Sequence, residues 1–418
     1  MNKLGEFLTV KHGWAFKGEF FSETGTQSIL TPGNFYEKGG FKYNEEKDRF
    51  YTGEYPLEYL CKKGDLIVAM TEQAAGLLGS TAIVPQNNRY LHNQRIGLIE
   101  CNKAKLLPLY AYYLFMTKSV REQISRSASG TKVKHTSPEK IYDVEVSIPD
   151  IKRQHAVSSF LWSLDSKIQS NLRICRELDD WAQVLYNYWF TQFDFPDADG
   201  KPYRSSGGAM EWNEQLKRQV PKDWDIGNLG SLGTITSGGT PSTSNNSYYT
   251  ENGIAWITPN DLSGNEHKLF FAHGERDITR DGLNNSSAVL MPRGTVLFSS
   301  RAPIGYIAIS ENEVCSNQGF KSIVPDKGFG SVFVYYTLKR NTPAIAKQGV
   351  GTTFKEVSRD TMERFKIVLP PVSITERFEH ILHPLVEKRR SLEHENMELT
   401  KLRDWLLPML MNGQATVK

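Results

Sequence analysis

The chain has 418 residues, enough for two or three domains that each bury a core. Fifty Lys and Arg against 47 Asp and Glu leave a formal charge of +3, which permits nucleic-acid contact without requiring it. Cys61, Cys101, Cys175 and Cys315 are far apart with no CxxC, which argues against a disulfide framework or a cysteine metal site. No apolar run approaches the roughly 18 residues of a membrane span. MNKLGEFLTV carries no signal-peptide pattern, so a cytoplasmic chain with no membrane partner is expected.

Residues 1–150 form a first block. Short β-rich runs broken by Gly, Pro, Asn and Ser fill its first two-thirds, and the pattern predicts one helix over Pro108–Ile124. Residues 151–190 carry Val157, Leu161, Leu164, Ile168, Asn171, Cys175, Leu178, Ala182, Leu185 and Trp189 at alternating steps of four and three. That spacing is a heptad seam, and at about 1.5 Å per residue it makes a rod of roughly 50 Å. Residues 191–227 are rich in turn formers (FDFPDADGKPYRSSGGAM) and read as an ordered-to-flexible connector. The second block, 228–372, repeats the mixed pattern with a helix predicted at Val332–Ala346. A second rod follows over 373–412, with a capping box at Ser373 and Glu376 and a kink or restart expected at Pro384. Residues 413–418 are a tail.

The two halves repeat one another. Leu4-Gly5 returns as Leu229-Gly230, Leu30-Thr31-Pro32 as Ile257-Thr258-Pro259, and Leu66-Ile67-Val68 as Val296-Leu297-Phe298. Asn93-Gln94 recurs as Asn317-Gln318, Tyr112-Tyr113 as Tyr335-Tyr336, and Gly130-Thr131 as Gly351-Thr352. The second seam is Phe378, Leu382, Leu385, Arg389, Leu392, Asn396, Leu399, Arg403, Leu406 and Leu410, spaced as the first. The fold class is therefore α/β (α+β), two duplicated mixed blocks and two long helices forming an antiparallel coiled coil. Pairing with matched ends places Asn171 against Asn396 and Trp189 against Phe378, and a polar pair inside an apolar seam fixes register. The pairing residues are Leu161, Leu164, Ile168, Asn171, Leu178, Leu185, Leu382, Leu385, Leu392, Asn396, Leu399 and Leu406.

Motifs for catalysis are missing. There is no GxxxxGK[ST] phosphate loop, no GxGxxG, no Asn/Asp-Pro-Pro-aromatic motif and no HExxH. Asp197, Asp199 and Lys201 loosely mimic a nuclease cluster, but they lie in the connector. What recurs in both blocks is polar, basic loops. The DNA-contact candidates are Thr71, Gln73, Asn93, Arg95, Arg126, Lys132, Lys134 and His135 in the first block. In the second they are Asn260, Arg301, Lys321, Lys347, Gln348, Thr353 and Lys355. Lys and Arg suit phosphates, while Asn, Gln and Arg carry the donors and acceptors that read base edges. Any one such cluster is an ordinary loop; recurrence at equivalent places favours two binding surfaces. A coiled-coil scaffold whose heads bind proteins is the alternative, and steep salt dependence of DNA binding separates the two.

The connector with Pro221-Lys222-Asp223-Trp224, the stretch Ser300-Arg301-Ala302-Pro303-Ile304-Gly305, and Asn317-Gln318-Gly319 resemble the specificity subunit of type I restriction-modification enzymes over essentially the whole chain. The resemblance implies a non-catalytic subunit whose two target recognition domains each read half of a split site in double-stranded DNA. It implies helices that dock two modification (methyltransferase) subunits, with restriction (motor and nuclease) subunits joining them. It also implies no cofactor in this chain, the S-adenosylmethionine, ATP and Mg being used by partner subunits. Thr71-Glu72-Gln73 departs from the Ser300-Arg301 pattern of the second block, so an arginine contact does not carry over to the first.

Overall fold

The computed structural model describes residues 2–43, 48–130, 133–263, 268–301, 303–351 and 355–417. They form two compact units, Met1–Ile168 with Glu398–Lys418, and Gln169–Met397.

In the first unit an antiparallel sheet runs in the order Leu8–His12, Ile96–Cys101, Leu66–Ala69, Thr81–Ile83, with Val10 opposite Ile99 and Ile67 opposite Ala82. Leu66–Ala69 is buried along its whole length, as a central strand covered on both faces must be. A second sheet has the order Phe21–Ser22, Phe50–Tyr51, Ser28–Ile29, Tyr90–Leu91, its last pair parallel. Asn2–Lys3 pairs with Glu145–Val146. The predicted single helix is two, Pro108–Met116 and Lys118–Ser127. Thr117 is extended between them (φ −65°, ψ 142°), and its hydroxyl donates to the Leu114 carbonyl, a local bond that competes with helix continuation. Tyr110 to Phe115 are all buried, so the first of these helices is core on every side.

The second unit repeats the order: Thr234–Ser237, Lys321–Val324, Val296–Phe298, Ile307–Ser310, with Phe270–Phe271 added at the edge. Its second sheet runs Tyr249–Thr250, Arg276–Ile278, Ile254–Ile257, Val314–Ser316, again with the last pair parallel. Asp225–Asn228 pairs with Lys366–Leu369. The duplication read from sequence is thus a duplication of topology. The domain helix runs Ser331–Lys347. The connector is ordered throughout: Phe193, Phe195, Val220 and Trp224 enter this unit's core, and Met210–Asn213 pairs with Arg218–Pro221 as a hairpin. The Asp197 carboxylate caps its own turn, accepting from the Asp199 and Lys201 amides, which is a structural use.

The first long helix spans Ile151–Tyr186 and closes on a π turn, Asn187–Thr191. The second spans Val372–Met411 without a break. Pro384 does not restart it, because the freed carbonyl of His380 lies on an exposed stretch that water can satisfy. Ser373 is not the cap either: the helix begins one residue earlier, and the Ile374 and Thr375 amides donate to the Pro371 carbonyl.

In the first unit Val157 and Leu161 share a core with Leu410 and Met411, and Leu406 packs against it. In the second unit Ala182 and Trp189 share a core with Phe378 and Leu382, while Leu185 and Leu385 pack at its edge. Ile168, Cys175 and Leu392 are buried; Leu164, Leu178 and Leu399 are half-buried. Asn171 Nδ2 donates to Asn396 Oδ1 at 2.9 Å and to Glu395 at 2.8 Å. The Trp189 and Phe378 rings meet at a tilt, with centroids 5.9 Å apart and planes inclined at 54°. The helices pair antiparallel in the expected layers.

Candidate nucleic-acid interface

Each unit builds one loop constellation on its main sheet, and the same backbone bonds hold both. In the first, the Met70 amide donates to the Arg95 carbonyl (3.0 Å) and the Thr136 amide to the Met70 carbonyl (3.0 Å). Ser129 and His135 exchange both backbone bonds, closing a hairpin-like loop. In the second, Ser300 donates to Gly319 (2.7 Å), Val357 to Ser300 (2.9 Å), and Val350 and Glu356 exchange both bonds. The bridges Thr71 to His135 and Arg301 to Glu356 complete the match. Thr71 therefore occupies the place of Arg301, and His135 that of Glu356. Asn93 and Asn317 play one part twice, each side-chain oxygen accepting the amide two residues on.

Not every candidate faces outward. Thr71 is buried, with its hydroxyl 3.1 Å from His135 Nδ1, and it locks the loop rather than displaying a group. Lys321 is also buried, reaching Glu356 at 3.4 Å. Arg301 lies 3.9 Å from the same carboxylate and is half-exposed. Gln73, Arg95, Arg126, Lys134 and His135 are exposed in the first unit, and Asn260, Lys347, Gln348 and Lys355 in the second. Arg126 pairs with Glu122 at 3.0 Å and Lys134 donates to Ser125 at 3.2 Å. Asn93 is half-buried. Lys132 and Thr353 lie outside the described residues.

Two features went unread in the sequence. Gly13 and Gly238 end the first strand of each main sheet, and a Cβ on either would run into the carbonyl of Asn93 or Asn317. Only glycine lets that strand approach the Asn-Gln turn, and His12-Gly13 against Ser237-Gly238 was a legible repeat. The other feature is how each domain helix docks. Tyr113 donates to Asp165 (2.6 Å), which pairs with Arg403 (2.8 Å); Tyr336 donates to Asp179 (3.0 Å), which pairs with Arg389 (2.8 Å). Lys339 adds a second cation on Asp179 at 2.6 Å. Arg389 continues to Glu393 at 2.8 Å, and Glu393 accepts the Leu269 and Phe270 amides. The two seam arginines that broke the apolar pattern are ion-paired cross-links. Burial pushes the Asp179 carboxyl up, but Arg389, Lys339 and the Tyr336 hydroxyl outweigh it and hold it below its ordinary value.

Behind the first Asn-Gln turn sits His92, 1% exposed, with Nε2 donating to the Ile96 carbonyl at 2.8 Å. Burial lowers its pKa from 6.5 to about 4. Among the described residues no group of His, Cys, Asp and Glu is placed to hold a metal ion, and no helix is long and apolar enough to cross a membrane.

Twin loop sets on a duplicated fold, with unlike side chains at equivalent places, define a two-headed recognition protein. The family model for the type I restriction modification DNA specificity domain matches residues 1–179 and 221–401, and the chain belongs to that family. It is 32% identical over 209 residues to the type I restriction enzyme MjaIX specificity subunit of Methanocaldococcus jannaschii, covering 47% of this chain and 48% of that one. The chain thus spans about half the length of that relative. It is 25% identical over 418 residues to the HindI specificity subunit of Haemophilus influenzae, covering 84% of this chain and 87% of that one. The crystal structure of a type I restriction-modification S subunit from M. genitalium shares the fold, with a TM-score of 0.56 at 16% identity over 98% of this chain and 95% of that one.

Proposed function

We propose that this chain is the sequence-reading subunit of a type I restriction-modification complex, each domain reading one half of a split, asymmetric DNA site. The observation that carries this is the pair of loop sets held by equivalent backbone bonds but built from different residues: exposed His135 beside buried Thr71 in one, half-exposed Arg301 and Glu356 in the other. One scaffold supplies position; the unlike side chains supply two different half-sites. Specificity comes from base-edge contacts and affinity from Lys and Arg on phosphates. The chain itself is non-catalytic. Two modification subunits dock on the long helices and methylate adenine with S-adenosylmethionine, flipping the base out of the duplex to do so. Restriction subunits using ATP and Mg complete the assembly. Trp181, 70% exposed, and Trp405, 62% exposed, lie off the heptad seam and are the surfaces we assign to the modification subunits.

The test is half-site selective. Gln348→Ala or Lys355→Ala should cost about 1–3 kcal/mol if the side chain contacts a base edge, and only for duplexes that keep the second half-site intact. Equal loss whichever half of the site is altered overturns the assignment.

A further inference from the structure

The second unit holds a cleft of about 330 Å³, lined in part by Tyr186 and Phe190, whose charged side chains take no part in the helix pairing. Arg218 of the connector hairpin, Arg340 and Lys347 of the domain helix, and Lys366 of the closing strand line it, with Thr191 and Asn341 as neutral polar neighbours. No carboxylate lines it, and none of the four cations makes an ion pair among the described residues. Four cations gathered without a counter-charge repel one another, an arrangement that folding alone does not favour.

Arg218 is held in place rather than splayed into solvent. One Nη donates to the Thr191 carbonyl at 2.7 Å, and the guanidinium sits 4.7 Å from the Phe193 ring centroid. No other acceptor among the described residues takes its remaining side-chain N–H groups. Burial, then the Arg340 and Arg204 charges, lower its pKa, as expected for a cation that lacks its anion.

The duplication provides an internal control. In the closing ladders Asn228 pairs with Lys366 and Lys3 with Glu145, so Glu145 stands where the second unit has Lys366. There the domain helix closes over the strand, Gln123 exchanging two hydrogen bonds with the Glu145 backbone at 3.0 and 2.9 Å. The fold therefore has no need of an open cationic cleft at this place. Lys347 ends the domain helix, and the next residue, Gln348, opens the recognition loop that Val350 and Glu356 close. One wall of the cleft thus runs directly into the second recognition loop.

We propose that Arg218, Arg340, Lys347 and Lys366 hold a backbone phosphate of the DNA flanking the half-site that the second domain reads. The inference rests on the DNA-reading function above and adds a sequence-independent anchor to it. The guanidinium offers forked donors to phosphate oxygens, and the lysines add point charge.

The test uses the full chain, a generic duplex and a second duplex of unrelated sequence, with affinity measured by fluorescence anisotropy across a salt series. Arg340→Gln and the double variant Arg340→Gln with Lys366→Gln remove exposed charges and leave the Arg218 anchor intact. The expected result is affinity lower by roughly fivefold and a log K against log salt slope shallower by about 1, alike on both duplexes. A steep wild-type slope that the variants leave unchanged overturns the cleft and spares the DNA reading. A loss confined to one duplex marks a base contact and also overturns the anchor. Unchanged DNA slopes with lost co-purification of the modification subunits assign the cleft to an acidic protein surface instead. A wild-type chain with no salt-dependent duplex binding contradicts the DNA reading itself.

Discussion

Asp179 tests how the second recognition domain is fastened to its helices. Its carboxylate takes Arg389, Lys339, Tyr336 and Gln183 at once, and the Arg389 side chain is only 4% exposed. Removing one partner of a buried ion pair costs about 3–5 kcal/mol, because the remaining charge stays desolvated. Asp179→Asn keeps the shape, Glu393 still neutralises Arg389, and Lys339 is one-third exposed and free to turn to water. The lower end, about 3 kcal/mol, is therefore expected. Arg389→Met should cost more, about 5 kcal/mol, since it leaves Asp179 and Glu393 as two neighbouring carboxylates with Lys339 alone against them. Hydrogen exchange followed by mass spectrometry reads this locally. Amides of Ser331–Lys347 should exchange about 100-fold faster in Asp179→Asn, while those of Pro108–Ser127 keep their protection. Protection of Ser331–Lys347 within threefold of wild type refutes the reasoning, as does equal loss in both helices.

Two further outcomes follow from buried polar groups. Replacing Asn171 and Asn396 together by Leu removes the polar layer without stranding either partner, so the helices should stay folded while their register loosens. In a background without native cysteines, Ala182→Cys should crosslink only to Leu385→Cys; the double-Leu variant should also crosslink to Leu392→Cys, one heptad on, and a single product in both backgrounds argues against the register role. For His92 the sign is set by its lowered pKa: the unfolded chain binds the proton more readily, so the contribution is complete above about pH 6.5 and lost as pH falls towards 4. A fall from 6.5 to about 4 is worth about 3 kcal/mol to the first unit. His92→Gln should flatten that pH dependence in thermal melts, and an unchanged slope rules out His92 as its source.

The helix pairing was readable because a heptad seam is a spacing, and spacing survives in sequence. Asn171 and Asn396 stood out as polar residues at matched places in two apolar seams, and their hydrogen bond is there at 2.9 Å. The ion cross-links were not readable. Asp165 and Asp179 each sit one residue beyond a seam leucine, and nothing local says that Arg403 and Arg389 turn across to them. The recognition loops were located by repetition, but composition gives the type of a side chain and not its direction. Thr71 and Lys321 belong to the loops and yet point inward. The connector misled through its Gly, Pro and Asp content. The signal missed there was alternation, Phe193 and Phe195 with Trp224, aromatic side chains that a flexible linker has no use for and that this unit buries.

The central claim is that two heads read two different half-sites. The direct measurement is genome-wide adenine methylation in a host carrying this chain with its modification subunit, set against the same host whose second-domain loop from Gln348 to Val357 is replaced by the first-domain loop from Ser127 to Thr136. The account predicts a modified split motif in the first strain and a motif altered in one half alone in the second. A motif altered in both halves, or no modified split motif in either strain, contradicts it.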